Sequence, residues 1–253
     1  MSLTNKDKIK FFTIAFTFLG MFILLFLRPS IPQDLSYHLF ADETTLIGIP
    51  HFFDVFSNLI FVIVGALGMK TVIGHKDLMA RKSWLIFFAS IFLIGPGSAY
   101  YHWNPNNQTL VWDRLPMGAG FMVLYLVMLV EHIDVKLEKY LIPFVLTGLA
   151  SVMVWALWDD LRFYFWVQFS SFISIPIILL AFKSHYNLKS GYYFCLLFYF
   201  LAKLTETFDK QIFNFTKSIV SGHTLKHLLA GIGIWFLVLM IQKRSPAIIS
   251  PKT

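Results

Sequence analysis

The chain has 253 residues, of which 57% are hydrophobic and only 14% are charged. This composition, with a mean hydropathy of +0.67, excludes an ordinary water-soluble domain and indicates a polytopic membrane protein. The formal net charge of +7 does not indicate nucleic-acid binding, because the basic residues are spread over the loops instead of forming one basic groove with interleaved aromatic residues.

Eight apolar stretches divide the chain, and most are close to the ~20 residues that a bilayer requires. Open β-sheet cannot span lipid, and the stretches lack the alternation of apolar and polar residues that marks outer-membrane strands. The sequence therefore predicts an all-α fold, a polytopic membrane helix bundle. The eight stretches cover residues 11–27, 52–73, 84–101, 111–131, 140–158, 163–182, 191–209 and 220–242.

The first stretch is either a retained membrane helix or a signal peptide, since Lys6, Lys8 and Lys10 precede it. Its apolar run is long for a signal peptide, and no small-x-small cleavage site follows it at once. We therefore expect an uncleaved N-terminal anchor.

The basic residues predict an orientation for the bundle. Fourteen of the 21 Lys and Arg residues fall in the N-terminus, the loops 70–83, 132–139 and 183–190, and the C-terminal tail, all on one side of an eight-helix arrangement. The loops of the other side carry four. The positive-inside rule then predicts that both termini are cytoplasmic.

Five polar residues at the outer ends of the third, fourth and eighth predicted helices indicate a metal site. Ser98 and His102 are four residues apart, Asp113 follows eleven residues later, and His223 and His227 are again four apart. Residues four apart share one helix face, so each pair can point at a common site. Three imidazoles would hold zinc with its fourth position open, as catalytic zinc sites do, and Asp113 is the candidate to accept a proton from water.

Two other cofactors are disfavoured. Bis-histidine haem needs ligands from opposite faces of its ring, which two histidines on one helix face do not supply. Lys226 invites comparison with retinal-binding proteins, but it lies near the start of the last helix and not in its middle.

Glu206 and Asp209 are candidates to orient the ligating imidazoles by accepting their free ring protons. Lys203 and Lys210 are near enough in sequence to form simple ion pairs with these carboxylates instead. The sequence leaves both interpretations open.

Four segments carry a resemblance to a known family. They read DVFSNL at 54–59, GPGSAYYH at 95–102, WDRLPM at 112–117 and SGHTLKH at 221–227. Together they resemble the alkaline ceramidase family, within the wider superfamily of seven-helix membrane hydrolases that includes the adiponectin-receptor-like proteins. The order SxxxH, D, HxxxH is specific to that superfamily.

The resemblance spans residues 52–242 and implies a seven-helix core there. Residues 1–51 would then form an additional N-terminal transmembrane anchor with an outer loop, and residues 243–253 a cytoplasmic tail. Animal members of the family have an acidic, calcium-associated segment before the core, and the spacing of Asp34, Asp42 and Glu43 does not reproduce it. Calcium is therefore not predicted.

The activity that the resemblance implies is zinc-dependent hydrolysis of the amide bond of a ceramide-like membrane lipid, giving a long-chain base and a fatty acid. Zinc would be held by His102, His223 and His227. Asp113 would take a proton from water and pass it to the leaving amine, and Ser98 would stabilise the oxyanion. The alternative role for Ser98 is a hydrogen bond to a backbone carbonyl.

A second function class shares the same fold, namely a receptor-like or lipid-sensing membrane protein whose zinc is chiefly structural. The presence of Asp113 and the lack of a long soluble domain favour hydrolysis. An ion transporter would be expected to show broken helices at mid-membrane or an internal repeat, and neither is apparent.

Overall fold

The computed structural model describes the backbone of residues 5–246 and the side chains of residue 12 and residues 14–246. The described chain is built from α-helices, two short 3-10 helices and connecting loops, and it contains no strand. The α-helices are α1 (Asn5–Phe26), α2 (Phe52–Ser57), α3 (Leu59–Gly74), α4 (Arg81–Trp103), α5 (Asn107–His132), α6 (Leu141–Trp158), α7 (Arg162–Ala181), α8 (Ser190–Thr207), α9 (Asp209–Phe215) and α10 (Gly222–Lys243).

The predicted all-α membrane bundle is confirmed. Six helical segments of the described chain are long and apolar enough to cross a membrane: Phe52–Gly74, which joins α2 and α3, Arg81–Trp103, Asn107–His132, Val135–Trp158, Arg162–Ala181 and Gly222–Lys243. The apolar part of α1, Ile14–Phe26, is shorter than these six segments. Helix α8, which has Lys203 and Glu206 in its last two turns, is not among the six. The eight stretches predicted from sequence nevertheless all coincide with helices.

Two helices that carry polar site residues begin at well-defined N-caps. The side chain of Asn106 accepts hydrogen bonds from the backbone N–H groups of Gln108 and Thr109, while Thr109 Oγ1 accepts from the backbone N–H of Asn106. Ser221 Oγ accepts from the backbone N–H of Thr224 at the start of α10. These caps satisfy backbone donors that the first turn leaves unpaired, which fixes where α5 and α10 begin.

Helix α5 is the most buried of these six segments, and 78% of its most apolar 18 residues lie inside the protein. It packs against α4, α6 and α7, while α10 packs along α8 and against α3. Helix α1 packs on α7. Its Phe18 contacts the ring of Trp166 on α7 and the ring of Tyr125 on α5. The described part of the N-terminal segment is thus attached to the core. The domain boundaries at residues 51 and 242 stay predictions.

One end of the bundle, where α4 ends and α10 begins, is called here the histidine end because it carries His102 and His223. Residues 27–51 fold across this end. The outer loop expected after the first helix is a loop in the structure, and its one helical segment is a short 3-10 helix, Leu35–His38. The loop connects α1 to α2 and covers the site described next.

Candidate metal centre

Three histidines from two helices meet at the histidine end. His102 lies in the last turn of α4, and His223 and His227 lie in the first two turns of α10. One ring nitrogen of each lies within 4.8 Å of the others, and the three residues are 0%, 3% and 2% exposed. This cluster can hold a metal ion, as the spacing of the residues in the sequence suggested.

The nitrogen positions fit one shared ion. Nε2 of His102 and Nε2 of His223 are 3.2 Å apart. Two nitrogens that bind one tetrahedral zinc at ~2.0–2.1 Å lie about 3.3 Å apart. The observed separation therefore needs little adjustment for both nitrogens to contact the same ion.

Ser57 fixes the tautomer of His227. Its hydroxyl donates to the backbone oxygen of Asp54 at 3.0 Å, so it accepts from the Nδ1–H of His227 at 2.8 Å. With the proton on Nδ1, the lone pair of Nε2 is free to bind a metal. This contact joins α2 to α10, and the sequence analysis did not identify it.

Two carboxylates hold the first turn of α10 in place. Asp54 Oδ1 accepts from the hydroxyls of Ser221 and Thr224 at 2.9 and 2.6 Å. Asp209 Oδ1 accepts from the backbone N–H of His223 at 2.8 Å. Both interactions act on the helix backbone or its cap, and they set the height of His223 and His227 in the bundle.

Glu206 and Asp209 were candidates to accept ring protons from the histidines, but their contacts are different. Glu206 forms an ion pair with Lys203, which is one of the pairs that the sequence left open, and a second one with Lys226 at 2.9 Å. Asp209 reaches His223 through its backbone and not through its ring. Neither carboxylate accepts a ring proton from the three histidines among the described contacts.

Lys226 also approaches the histidine cluster. Its Nζ lies 3.0 Å from Nε2 of His223, the same nitrogen that faces His102. An ammonium group at that position donates to the lone pair that a metal would use. Metal binding therefore requires the ammonium of Lys226 to withdraw, and its partner Glu206 is already in contact with it.

Asp113 and Ser98 lie beside the cluster. Both side chains are buried and line the same cavity as His227. Ser98 lies one turn before His102 on α4, where Gly97 packs against the backbone of Trp112 and Asp113.

The loop 27–51 covers the cluster from the histidine end. The ring of Phe40 lies 4.6 Å from the rings of both His102 and His223. The loop is attached to helices on several sides: His38 Nε2 donates to Asn107 Oδ1 at 2.9 Å and its Nδ1 accepts from the hydroxyl of Tyr101 at 2.8 Å.

The loop also binds the short turn between α6 and α7. The backbone N–H of Gln33 donates to Asp159 Oδ1 at 2.9 Å, and that of Ile31 donates to Asp160 Oδ1 at 3.3 Å. Hydrogen bonds from Arg162 lower the pKa of Asp160, so this carboxylate stays ionised at neutral pH. The acidic pair that the sequence places in this turn serves here to hold the loop.

A cavity of about 490 Å³ extends from the site into the bundle. Its polar part includes Ser98, Asp113 and His227, and its deeper wall is apolar and aromatic. Residues from both α7 and α8 line it, and the two helices meet there through Tyr199, which accepts a hydrogen bond from Gln168 Nε2 at 2.7 Å and contacts the ring of Phe172. The deeper lining includes Phe87, Ile91, Leu124, Phe121, Phe172, Ile175, Leu196 and Ile234.

No protein-family model matches the chain, and a search of curated proteins finds no match either. The assignment of an activity must therefore come from the four short segments and from the chemistry of the site.

Proposed function

We propose that the chain is a zinc-dependent intramembrane amidase that hydrolyses the amide bond of a ceramide-like N-acyl lipid. The products are a long-chain base and a fatty acid. The observation that carries this proposal is the convergence of three buried imidazoles with Asp113 and Ser98 at the polar end of an apolar cavity. The resemblance of the four segments to alkaline ceramidases supports the same reaction.

His102, His223 and His227 would hold the zinc. Three neutral nitrogen donors with an open fourth position are typical of catalytic zinc, and the 3.2 Å between two of the nitrogens suits its bond lengths. When bound, zinc supplies a Lewis acid for the amide carbonyl and makes a water molecule more acidic.

The chain's own residues carry the proton transfers. Asp113 is placed to take a proton from the attacking water as its oxygen forms the new bond to the carbonyl carbon. The same proton then goes to the amine nitrogen as the C–N bond breaks. Ser98 lines the same part of the cavity as Asp113, and its hydroxyl is proposed to stabilise the oxyanion as negative charge develops.

The cavity supports a lipid substrate. Its volume of about 490 Å³ lies within the range of ligand-binding sites, and its apolar lining suits an acyl chain. Tyr199 of α8 contacts Gln168 and Phe172 of α7, and movement of these side chains would open a route for that chain from the bilayer, while Phe40 and the loop 27–51 cover the histidine end. We propose that the lipid enters from the side.

The proposed orientation follows from the distribution of basic residues. The loops and termini opposite the histidine end carry fourteen of the 21 Lys and Arg residues, which favours cytoplasmic termini and a site toward the periplasmic or luminal side. A reporter fused after Thr253 tests this orientation, and an external reporter would reverse it.

The activity is tested on protein purified in detergent. Bound metal and fatty-acid release from a panel of N-acyl lipids are measured for the wild type, His223→Ala and Asp113→Asn, with His75→Ala as the matched control far from the cluster. We expect His223→Ala to lose metal and turnover, and Asp113→Asn to keep metal while turnover falls by about 10²-fold or more. Wild-type protein that binds no metal would refute the proposal.

The same experiment decides the second candidate, a lipid sensor with a chiefly structural zinc. The observation in its favour is the closure of the cluster by Phe40, which lies against two of the three imidazoles. A metal-loaded wild type that turns over no amide or ester lipid, and is unchanged by Asp113→Asn, would favour the sensor.

A further inference from the structure

Arg114 is a buried cation whose hydrogen-bonding groups are unused. It follows Asp113 on α5, is 6% exposed and lines the cavity. Its Nη1 is buried with no hydrogen-bond partner, and no described carboxylate forms an ion pair with the guanidinium. Burying a charge without a partner is costly, so buried charges are usually paired, and here no described carboxylate supplies the pair.

Aromatic rings surround this guanidinium. Its Cζ lies 4.2 Å from the ring centroid of Trp155, 5.0 Å from that of Tyr164 and 5.5 Å from that of Tyr37. The rings hold the cation by cation–π contacts and keep water away, but they accept no directed hydrogen bond from its N–H groups. The flat guanidinium is therefore positioned and still free to bind an oxyanion with two parallel hydrogen bonds.

No carboxylate that lines the cavity forms an ion pair with Arg114 in the described chain. Glu206 is paired with Lys203 and Lys226. The side chain of Asp34 accepts from the backbone N–H of Ser36. Three cations and three carboxylates line the cavity, so a divalent ion on the histidines would make the site positive.

Tyr37 lies between Arg114 and the ion pair of Glu206 with Lys226. Its ring faces Arg114, and its hydroxyl donates to Glu206 Oε1 at 3.4 Å, the oxygen that also accepts from Lys226. Arg114 therefore lies near the cavity's polar end, with Asp113 beside it in sequence. An anionic group bound to Arg114 would belong to the part of a lipid that adjoins the reacting amide.

We propose that Arg114 is a specificity-determining residue that binds an oxyanion, a carboxylate or a phosphate, in the head group of the substrate. The substrate class is then an anionic N-acyl lipid, and a neutral ceramide is a poorer ligand. The reaction on such a lipid rests on the proposed amidase function, whereas the selective binding does not.

Binding is measured by calorimetry in nonionic detergent, with probes of similar chain length whose head groups differ in charge. The probes are N-lauroyl glycine, a carboxylate, dodecyl phosphate, which contains no amide, and the neutral N-lauroyl ethanolamine. We expect the wild type to bind at least one anionic probe about tenfold more tightly than the neutral one. The stronger of the two anions distinguishes a carboxylate from a phosphate head group.

The preference is then measured in Arg114→Gln, with Arg28→Gln as the matched control, because Arg28 is exposed at the same end of the bundle. We expect Arg114→Gln to reduce the preference to about threefold or less, and the control to retain it. Equal affinities in the wild type, or a full preference in Arg114→Gln, would overturn the proposal.

Two further variants separate binding from a structural role. Arg114→Lys keeps the charge and should keep part of the preference for the anionic probe. It serves as the test variant if Arg114→Gln does not fold. Arg114→Met should leave the melting temperature of the ligand-free protein unchanged or raised, because it removes an unpaired buried charge. A large drop in melting temperature together with an unchanged preference would assign Arg114 to structure alone.

The two proposals fail in different ways. Selective binding of dodecyl phosphate or N-lauroyl glycine without any metal-dependent amide hydrolysis would remove the amidase and leave the role of Arg114 intact. Metal-dependent hydrolysis that favours the neutral probe would support the amidase and remove the proposed role of Arg114.

Discussion

At the scale of single residues, the contact between Ser57 and His227 controls how well the cluster can bind a metal. Ser57→Ala removes the acceptor for the Nδ1 proton of His227, so the ring loses its fixed tautomer and orientation. We expect metal affinity to fall by about 10–100-fold. Competition with a metal indicator measures it, with Ser151→Ala as control, because Ser151 is buried in α6 and donates to Gly148. An unchanged affinity would show that Ser57 does not orient the ring.

Lys226 should oppose metal binding. Its ammonium lies 3.0 Å from Nε2 of His223, where it repels a cation and occupies the lone pair. Lys226→Met should therefore raise metal affinity by about tenfold or more, whereas Lys210→Met, at an exposed position, should not change it. The same indicator competition checks this. A weaker affinity in Lys226→Met would mean that the lysine supports the site.

The sequence could predict which polar residues meet, but not all of their partners. His102, His223 and His227 are recognisable because helical spacing and helix ends place them at one depth before any packing is known. Ser57 and Phe40 are not, since their contacts join segments that are far apart in the sequence and depend on how the helices and the loop pack. Arg114 lies inside the predicted stretch 111–131, and the sequence does not show that its guanidinium lacks a hydrogen-bond or ion-pair partner.

At the scale of secondary-structure elements, the close packing of α4 on α5 positions Ser98 beside Asp113. A Cβ atom at Gly97 would collide with the backbone carbonyl oxygen of Trp112. Gly97→Ala should push the two helices apart next to Ser98 and Asp113. We expect it to lower the free energy of unfolding by about 1–3 kcal/mol.

Thermal unfolding and fatty-acid release both test the Gly97→Ala change. Gly20→Ala on α1 is the control, because a Cβ atom there would have no neighbouring atom within 4 Å and Gly20 does not line the cavity. We expect turnover to fall further in Gly97→Ala than its lower melting temperature explains. Equal behaviour of the two variants would argue against this role of the helix contact.

Helix positions were predictable because apolar runs of membrane length leave few alternatives. The predicted stretch 111–131 became Asn107–His132, since the capping box of Asn106 and Thr109 starts the helix before its apolar run begins. The loop 27–51 has no such periodicity. Its course depends on individual contacts with Asn107, Asp159 and Asp209, which a pattern of hydrophobicity does not encode.

At the scale of the whole molecule, an ion pair fixes the end of the bundle opposite the histidines. Both guanidinium Nη atoms of Arg244, just after α10, donate to the carboxylate of Glu131 on α5 at 2.7–2.8 Å, and the two side chains are 1% and 0% exposed. Trp84 and Tyr192 also donate to this carboxylate at 2.7 Å. Four helices, α4, α5, α8 and α10, are thereby joined at one point.

Breaking this pair should destabilise the whole bundle. Arg244→Met leaves Glu131 buried without its cation, which typically costs about 3–5 kcal/mol. We expect a clearly lower melting temperature in detergent, and partial recovery when Glu131→Gln is added to Arg244→Met. A loss below about 1 kcal/mol would show that Trp84 and Tyr192 suffice to hold the carboxylate.

Helix α10 carries a buried polar cluster at each end, and the distance between them sets a length for the surrounding lipid. From His227 to Arg244 the chain advances by about 26 Å of helical rise. That is close to the ~27 Å hydrocarbon thickness of an endoplasmic-reticulum bilayer and below the ~32–33 Å of a sterol-rich plasma membrane. In the thicker bilayer the ionic groups at both ends would be drawn toward hydrocarbon, so the stability of this protein should depend on the chain length of the lipids around it.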